Sequence, residues 1–282
     1  MAPQLNCPGE YVLIRTKDEL ERLERQYNVW QTNIGYLLHP TITQRETLRV
    51  ADVGTGTGIW LRDLSKTLPE DCQLDGFDLS DAMFFKNTPR PTNVSFIHHN
   101  LLEPFPTQFI GQYDVVNVRA MVVALSSDEW EPALRNLISL LRSGGYIQWL
   151  DCSAKDFVAK GAAEGRVPIN AERWTELLRT TANALGKTPN VNALYRIFRK
   201  NGLKDCSEEV YQLDNPLGRD ELNRAVLDGI HNFMIAALNG RTFEWAKSAD
   251  QVMAMKEAAQ QDLHNLNCWF SYNVYVVVGR RA

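Results

Sequence analysis

Residues 50–60 read Val50-Ala51-Asp52-Val53-Gly54-Thr55-Gly56-Thr57-Gly58-Ile59-Trp60. An apolar run closes on Asp52 and Val53, glycines alternate with threonines, and an apolar segment resumes at Ile59. The run from Leu48 to Val53 predicts a short buried strand, and residues 59–66 predict a helix. Small residues between the two let the backbone turn tightly and approach a ligand closely. A strand, a glycine loop and a helix in this order belong to an open parallel sheet, whose ligand crevice lies at the carboxyl ends of its strands.

The same rhythm continues downstream. Residues 72–79, 93–99 and 113–118 predict a second, third and fourth strand. Ser126 and Glu129 have capping-box spacing. They open a helix with Trp130, Leu134, Leu137, Ile138 and Leu141 on one face. Gly144 and Gly145 are expected to stop that helix, and Tyr146–Leu150 predicts a fifth strand. Strands alternating with helices imply a parallel sheet covered on both sides. Upstream, Thr16 and Glu19 repeat the capping-box spacing. Leu20, Leu23, Tyr27 and Trp30 recur at helical intervals, so a helical arm is expected over 16–38, closed by Pro40. After Asp151 the alternation breaks. Helices are expected over 170–186, with Asn170 as cap and Gly186 as stop, and over 191–201. A strand over Lys204–Leu213, a helical stretch over 218–264 interrupted near Asn239–Gly240, and a last strand over 269–278 complete the chain.

Composition narrows the function classes. The 282 residues are 44% hydrophobic and 23% charged, with a formal net charge of −4. No Lys/Arg run is present, which argues against nucleic acid as a partner. The cysteines, Cys7, Cys72, Cys152, Cys206 and Cys268, are scattered and form no CxxC pair. Free thiols in a reducing compartment are therefore expected, rather than a zinc or redox site. Residues 1–15 lack the basic-then-apolar order of a signal peptide, and the apolar runs are too short to span a membrane. No membrane partner and a cytoplasmic location are expected.

Two carboxylates qualify the glycine loop. Asp78 lies twenty residues past Gly58, at the end of the second strand, where it can accept hydrogen bonds from both hydroxyls of a ribose. The alternative is a cap on the turn that holds Ser80 and Asp81. Asp52 stands two residues before the first glycine, and the spacing is GxGxG rather than the GxGxxG of dinucleotide sites. An acid beside the loop suits a cationic ligand better than a diphosphate. S-adenosylmethionine (SAM) carries an ammonium and a sulfonium and no phosphate.

The stretch V-A-D-V-G-T-G-T-G-I-W resembles motif I of class I SAM-dependent methyltransferases, and the likeness extends from about Leu48 to Asp151. In detail the chain is most similar to fungal methyltransferases of secondary metabolism, the group that includes LaeA-like proteins. Three further stretches carry this finer likeness. They are W-Q-T-N-I-G-Y-L-L-H-P at 30–40, D-G-F-D-L-S at 75–80, and Y-D-V-V-N-V-R-A at 113–120 with the following D-E-W helix and G-G-Y-I-Q-W. The fold expected from the pattern and the resemblance is α/β, a Rossmann-like seven-stranded sheet. It has an N-terminal helical cap (1–42), a SAM-binding core (43–155), and lid helices with the final strands (156–282), the helical insert preceding the last strand.

The resemblance also implies roles. The cofactor is S-adenosyl-L-methionine and the product S-adenosyl-L-homocysteine. Asp52 orients the methionine amino group, directly or through water. Gly54, Thr55 and Gly56 lay their backbone against the methionine and ribose. Asp78 takes the ribose hydroxyls, and Leu79 packs on the adenine. Asn100 stands where the family commonly has an Asp against the adenine amino group; its carbonyl oxygen can still accept that N–H. Leu101 offers its backbone N–H to the ring. Val118 and Arg119 line the methionine end, where Arg119 pairs with the cofactor carboxylate or else forms an ordinary ion pair. Tyr36 is placed with the cofactor-binding residues.

For the acceptor, aromatic residues outside the sheet are the candidates, Trp30, Trp174 and Phe233 foremost; ordinary core packing is the alternative for each. Methyl transfer from a sulfonium is a direct displacement, so the protein mainly supplies alignment and water exclusion. A base is needed only when the acceptor must lose a proton. His231, among Ile230, Phe233 and Met234, is the candidate base if its segment folds over the cofactor. A partly buried structural histidine is the alternative, and Asp151 is a second candidate. No carboxylate cluster suggests a metal. The expected function is methylation of an oxygen or nitrogen of a small-molecule acceptor, a secondary metabolite. A LaeA-type regulator acting through protein partners and a methyltransferase-fold pericyclase or binder stay open as alternatives. An NAD oxidoreductase is opposed by GxGxG and Asp52.

Overall fold

The computed structural model describes residues 17–42, 46–81, 84, 90–161, 166–187, 191–214, 218–239, 241 and 243–282. Thr16 of the first capping box and Gly240 lie outside them. The elements in chain order are α1 (Lys17–Ile34), β1 (Arg49–Val53), α2 (Ile59–Ser65), β2 (Gln73–Asp78), β3 (Val94–His98), β4 (Tyr113–Arg119), α3 (Trp130–Leu140), β5 (Leu141–Cys152), β6 (Val158–Lys160), α4 (Ile169–Ala184), α5 (Leu194–Lys200), β7 (Lys204–Leu213), α6 (Arg219–Leu238), α7 (Ala249–Asn265) and β8 (Trp269–Arg280).

The strands form one sheet in the order β3-β2-β1-β4-β5-β8-β6, with β7 also paired to β8. The first five run parallel, and β8 is antiparallel to β5 and to β7. The strand order reverses between β1 and β4, and there the two flanking connections part to opposite sides and leave a crevice. Alternation along each strand feeds two cores. Val50, Leu74, Val115 and Leu150 pack beneath α1, α2, α4 and α6. Ala51, Val53, Phe77, Val116 and Val118 face α3 and α5 instead. In α3, Trp130, Ala133, Leu134, Leu137 and Leu140 are buried on one stripe, and Trp130 stacks on Trp149 of β5 at 5.0 Å.

Several boundaries differ from expectation. The arm ends at Ile34 rather than near residue 38, and Pro40 lies in the turn beyond. Gly144 and Gly145 do not stop α3; Leu141 already starts β5. They form an irregularity in the β4–β5 pairing, where a Cβ on Gly145 would lie 2.8 Å from the Tyr113 carbonyl oxygen. Asn170 sits inside α4, and its backbone and side-chain N–H groups both donate to Asp262 of α7. The three-residue β6 was not foreseen and brings the sheet to eight strands. Among the described residues no helix is long and apolar enough to cross a membrane.

The arm and the late helices converge over the crevice. Arg25 of α1 pairs with Asp228 of α6 at 2.7 Å. The Trp30 indole N–H donates to the Tyr272 hydroxyl of β8 at 2.8 Å. The Tyr27 hydroxyl donates to Asp63 of α2 at 2.8 Å. These contacts roof the glycine loop with α1 and α6.

Candidate functional site

The loop after β1 is built for close approach. Gly54 adopts φ +71°, and a Cβ there would lie 1.9 Å from the Met121 Cε. A side chain at 54 therefore demands both a left-handed backbone and a displaced methionine. The Gly54 and Thr55 N–H groups donate to the Phe77 carbonyl at 2.8 and 3.0 Å. Asp78 closes the same corner, with Oδ2 accepting from the Gly56 N–H at 2.8 Å and Oδ1 from the Ser80 N–H at 3.0 Å. So Asp78 caps its own turn and also faces the cavity.

Beneath the loop lies a buried ion pair. Asp52 is 1% exposed and Arg119 stands 3.9 Å away at the end of β4. Asp52 Oδ2 accepts from the Thr55 hydroxyl at 2.6 Å and Oδ1 from the Asn117 amide at 2.7 Å. Burial pushes the Asp52 carboxyl up, while Arg119 and these two donors oppose the shift. Arg119 lies over the Tyr27 ring at 5.1 Å and the Trp60 ring at 5.8 Å. Its Nε is buried without a hydrogen-bond partner among the described residues, and the residue lines the cavity. A guanidinium at a cavity wall suits an anionic group of a ligand.

The cavity measures about 250 Å³ and is continuous from the glycine loop to the helical roof. Gly54, Gly56, Asp78, Leu79, Asn100 and Leu101 line one part of it. Leu79 is 39% exposed, an apolar side chain at the rim. Asn100 Oδ1 accepts from the Leu102 N–H at 3.0 Å, which fixes the amide in an Asx turn. The other part is apolar, walled by Met121 and Val122, Ala154 and Phe157, and Ile230 and Phe233. Of the expected acceptor aromatics, Phe233 lies here.

Other expected site residues lie elsewhere. Thr55 stays on the loop between the two lining glycines, its side chain buried and its hydroxyl donated to Asp52. The Val118 side chain is wholly buried on the α3 side of the sheet, because strand alternation turns it away from Asn117. Tyr36 is not at the cofactor crevice; it donates to Glu209 of β7 at 2.9 Å and packs edge-on against His39 and Tyr211. Trp30 is core, one hydrogen bond behind the cavity wall that Tyr272 forms. Trp174 is 1% exposed and faces Trp245 and Met255 across a separate groove between α4 and α7.

His231 is corrected on helical phase. Val226, Gly229, Ile230 and Phe233 line the cavity and recur at three- and four-residue spacing, one face of α6. His231 falls off that face, beside Asn232 and toward Asp228 and Lys256. Burial lowers its pKa. Asp151 is equally committed. Its carboxylate accepts from the backbone N–H groups of Met121 (2.7 Å), Val122 (3.2 Å) and Cys152 (3.0 Å) and from the Trp149 indole (3.1 Å). Burial pushes it up to about 7 against those donors. It is a strut for the loop after β4, outside the cavity lining.

Sequence reasoning missed that loop and part of the arm. Met121–Leu125 forms much of the wall, and Arg22, Leu23 and Gln26 of α1 form the roof. Arg22 is clamped by Glu19 at 2.7 Å through Nε and Nη2 and donates to Gln26 at 2.7 Å. The i, i+3, i+4 spacing of Glu19, Arg22, Leu23 and Gln26 was a legible signal for a second functional face on α1. Among the described residues no cluster of His, Cys, Asp and Glu could hold a metal ion.

Comparison with known proteins agrees with this geometry. A methyltransferase-domain family model matches residues 50–145, the span from the glycine loop to β5. Methyltransferase grgD of a Penicillium species is 33% identical over 240 residues, 80% of this chain and 81% of that protein. N-methyltransferase tcpN of Claviceps purpurea is 26% identical over 278 residues, 95% of each chain. The solved phosphoethanolamine N-methyltransferase 2 of Haemonchus contortus, in complex with S-adenosylhomocysteine, superposes with a TM-score of 0.56 at 14% identity. It covers 95% of this chain, which spans 59% of that protein's length; the likeness is one of fold. The finer LaeA-like likeness rests on the sequence stretches alone. With a glycine loop at the strand-order reversal, an acid ending β2 and a guanidinium ending β4, the chain belongs to the class I SAM-dependent methyltransferases.

Proposed function

We propose that the chain methylates a nitrogen of a largely apolar small molecule, a product of secondary metabolism. The observation that carries this is the inner wall of the cavity. It is apolar; Asp78, His99, Arg119 and Glu129 also line the cavity, but from β2, the segment after β3, β4 and the start of α3, whereas the titratable groups beside α6 and Phe157 are Arg22, Cys152 and Tyr272. Arg22 is a cation held by Glu19. Burial pushes the Cys152 thiol and the Tyr272 phenol well up, so both stay protonated at neutral pH. None of the three accepts a proton from a substrate. Such a wall suits an acceptor that already presents a lone pair, as a neutral amine does, better than a phenol that must first ionise. The name of the Claviceps purpurea relative is consistent with nitrogen as the target.

SAM, when bound, supplies an activated methyl group on its sulfonium. In the proposed pose Asp78 accepts from the ribose hydroxyls, while Leu79, Asn100 and Leu101 flank the adenine. The Arg119 guanidinium meets the methionine carboxylate. Phe233, Ile230 and Phe157 exclude water around the acceptor. The test is methyl transfer from labelled SAM to paired acceptors of one apolar skeleton, one bearing an amine and the other a phenol. Faster labelling of the amine is expected. His231→Ala should change that rate by less than about twofold, since a group off the cavity face contributes nothing to transfer. Preferred labelling of the phenol, together with loss of activity in His231→Ala, would overturn the assignment.

A further inference from the structure

Three apolar stretches, 50–53 in β1, 115–118 in β4 and 146–150 in β5, are each interrupted by one polar residue: Asp52, Asn117 and Gln148. They are direct cross-strand partners, Asp52 opposite Asn117 and Asn117 opposite Gln148. All three are at most 1% exposed. Their side chains form a continuous row on the α1 side of the sheet. Asn117 Nδ2 donates to Asp52 Oδ1 at 2.7 Å, and Gln148 Nε2 donates to Asn117 Oδ1 at 2.9 Å. The far end is fixed by backbone. Gln148 Nε2 also donates to the Leu37 carbonyl at 2.9 Å, and Gln148 Oε1 accepts from the His39 N–H at 2.7 Å.

The direction of this row is dictated. A backbone N–H can only donate and a backbone carbonyl can only accept, so the Gln148 amide has one orientation. Its remaining N–H must then meet the Asn117 oxygen, which turns the Asn117 amino group onto Asp52. The polarity set by the 37–39 turn thus arrives at Asp52 as a hydrogen bond to the charged carboxylate. Asp52 in turn faces Arg119, which lines the cavity. The row also ties together three of the stretches that carry the family likeness: the turn after α1, Asn117 in Y-D-V-V-N-V-R-A and Gln148 in G-G-Y-I-Q-W.

We propose that Asn117 and Gln148 are positioning residues for the cofactor, which hold Asp52 ionised and thereby fix Arg119, so that docking of the 37–39 turn orders the methionine end of the SAM site. This rests on the cofactor assignment above. The charged and titratable groups that face Asp52 are Arg119 of β4 and Tyr27 of α1, the latter bonded to Asp63 of α2. If the row loses its donor, the neutral form of Asp52 gains, and it gains most at low pH. The anchor of Arg119 is then lost.

The probe is S-adenosylhomocysteine, titrated calorimetrically into the full chain between pH 6 and pH 8. In the wild type the dissociation constant should vary less than about twofold over this range. Gln148→Met keeps the volume and removes the row's fixed end; it should bind about tenfold more weakly at pH 6 than at pH 8, the size of one charge-assisted hydrogen bond. In an Asp52→Asn background the same substitution should change affinity by less than about twofold. An equal loss at both pH values, or an undiminished loss in the Asp52→Asn background, overturns the proposal and marks Gln148 as packing alone. A wild type that fails to bind S-adenosylhomocysteine would overturn the cofactor assignment instead. If Gln148→Met does not fold, the wild type decides by NMR. Side-chain amide protons of Asn117 and Gln148 that exchange slowly and shift on adding S-adenosylhomocysteine support the row, and fast exchange without a shift overturns it.

Discussion

Replacing Arg119 by Met is expected to lower stability by about 3 kcal/mol and to weaken S-adenosylhomocysteine binding at least tenfold. The stability loss follows from burial. Asp52 has two hydrogen-bond donors and one facing cation, and removing the cation leaves a desolvated carboxylate without a counter-charge. Breaking one side of a buried pair costs roughly 3–5 kcal/mol, and the 3.9 Å separation places this pair at the lower end. For a chain of this size that is a fall in melting temperature of roughly 5 °C. The binding loss follows from loss of the guanidinium at the cavity wall. Arg119→Lys should recover much of the stability and little of the affinity, because an ammonium restores the charge without the fork. Thermal melts and calorimetric titration of the two variants check both halves. Equal affinity in wild type and Arg119→Met would remove Arg119 from the cofactor site.

The second large effect is expected at Asp78. Asp78→Ala removes the acceptor that fastens the Gly56 N–H to β2 and holds the Ser80 turn, and with it the proposed ribose contact. Loss of charge-assisted hydrogen bonds should weaken S-adenosylhomocysteine binding by about 1.5–3 kcal/mol, roughly tenfold to a hundredfold. The stability change should stay near 1 kcal/mol, because the residue is only partly buried. A ligand that carries the homocysteine but lacks the ribose separates the two contributions. Its affinity should fall far less than that of the complete nucleoside if Asp78 meets the hydroxyls. Equal falls for both ligands would assign Asp78 to the loop alone.

The sheet and its crevice were legible because they are written locally. β1, the glycine loop and α2 follow one another within seventeen residues, and each has its own period and breakers. Asp78 and Arg119 end strands whose limits are equally plain, so their place at the crevice followed from the parallel order. What failed were directions within elements. The late helices were anticipated, yet His231 was read by its neighbours in sequence, whereas a helix presents neighbours four apart. Ile230 and Phe233 face the cavity while His231 faces Asp228 and Lys256. Trp174 was expected at the acceptor because aromatic, but α4 turns it toward α7. Tyr36 lies in an irregular turn, where no period fixes a direction. The polar row was hidden differently. Asp52, Asn117 and Gln148 each look like a single blemish in an apolar strand, and only the register of three strands reveals that the blemishes are adjacent. A polar residue at a fully buried strand position demands a partner, and that demand was the unread signal.

The central claim is that the crevice between β1 and β4 is shaped and charged for a sulfonium nucleoside and its demethylated product. The most direct measurement is calorimetric titration of the purified chain with S-adenosylhomocysteine and, separately, with NADH. One equivalent of S-adenosylhomocysteine should bind with micromolar or tighter affinity, and NADH should give no saturable heat. Saturable binding of NADH with none of S-adenosylhomocysteine would contradict the account.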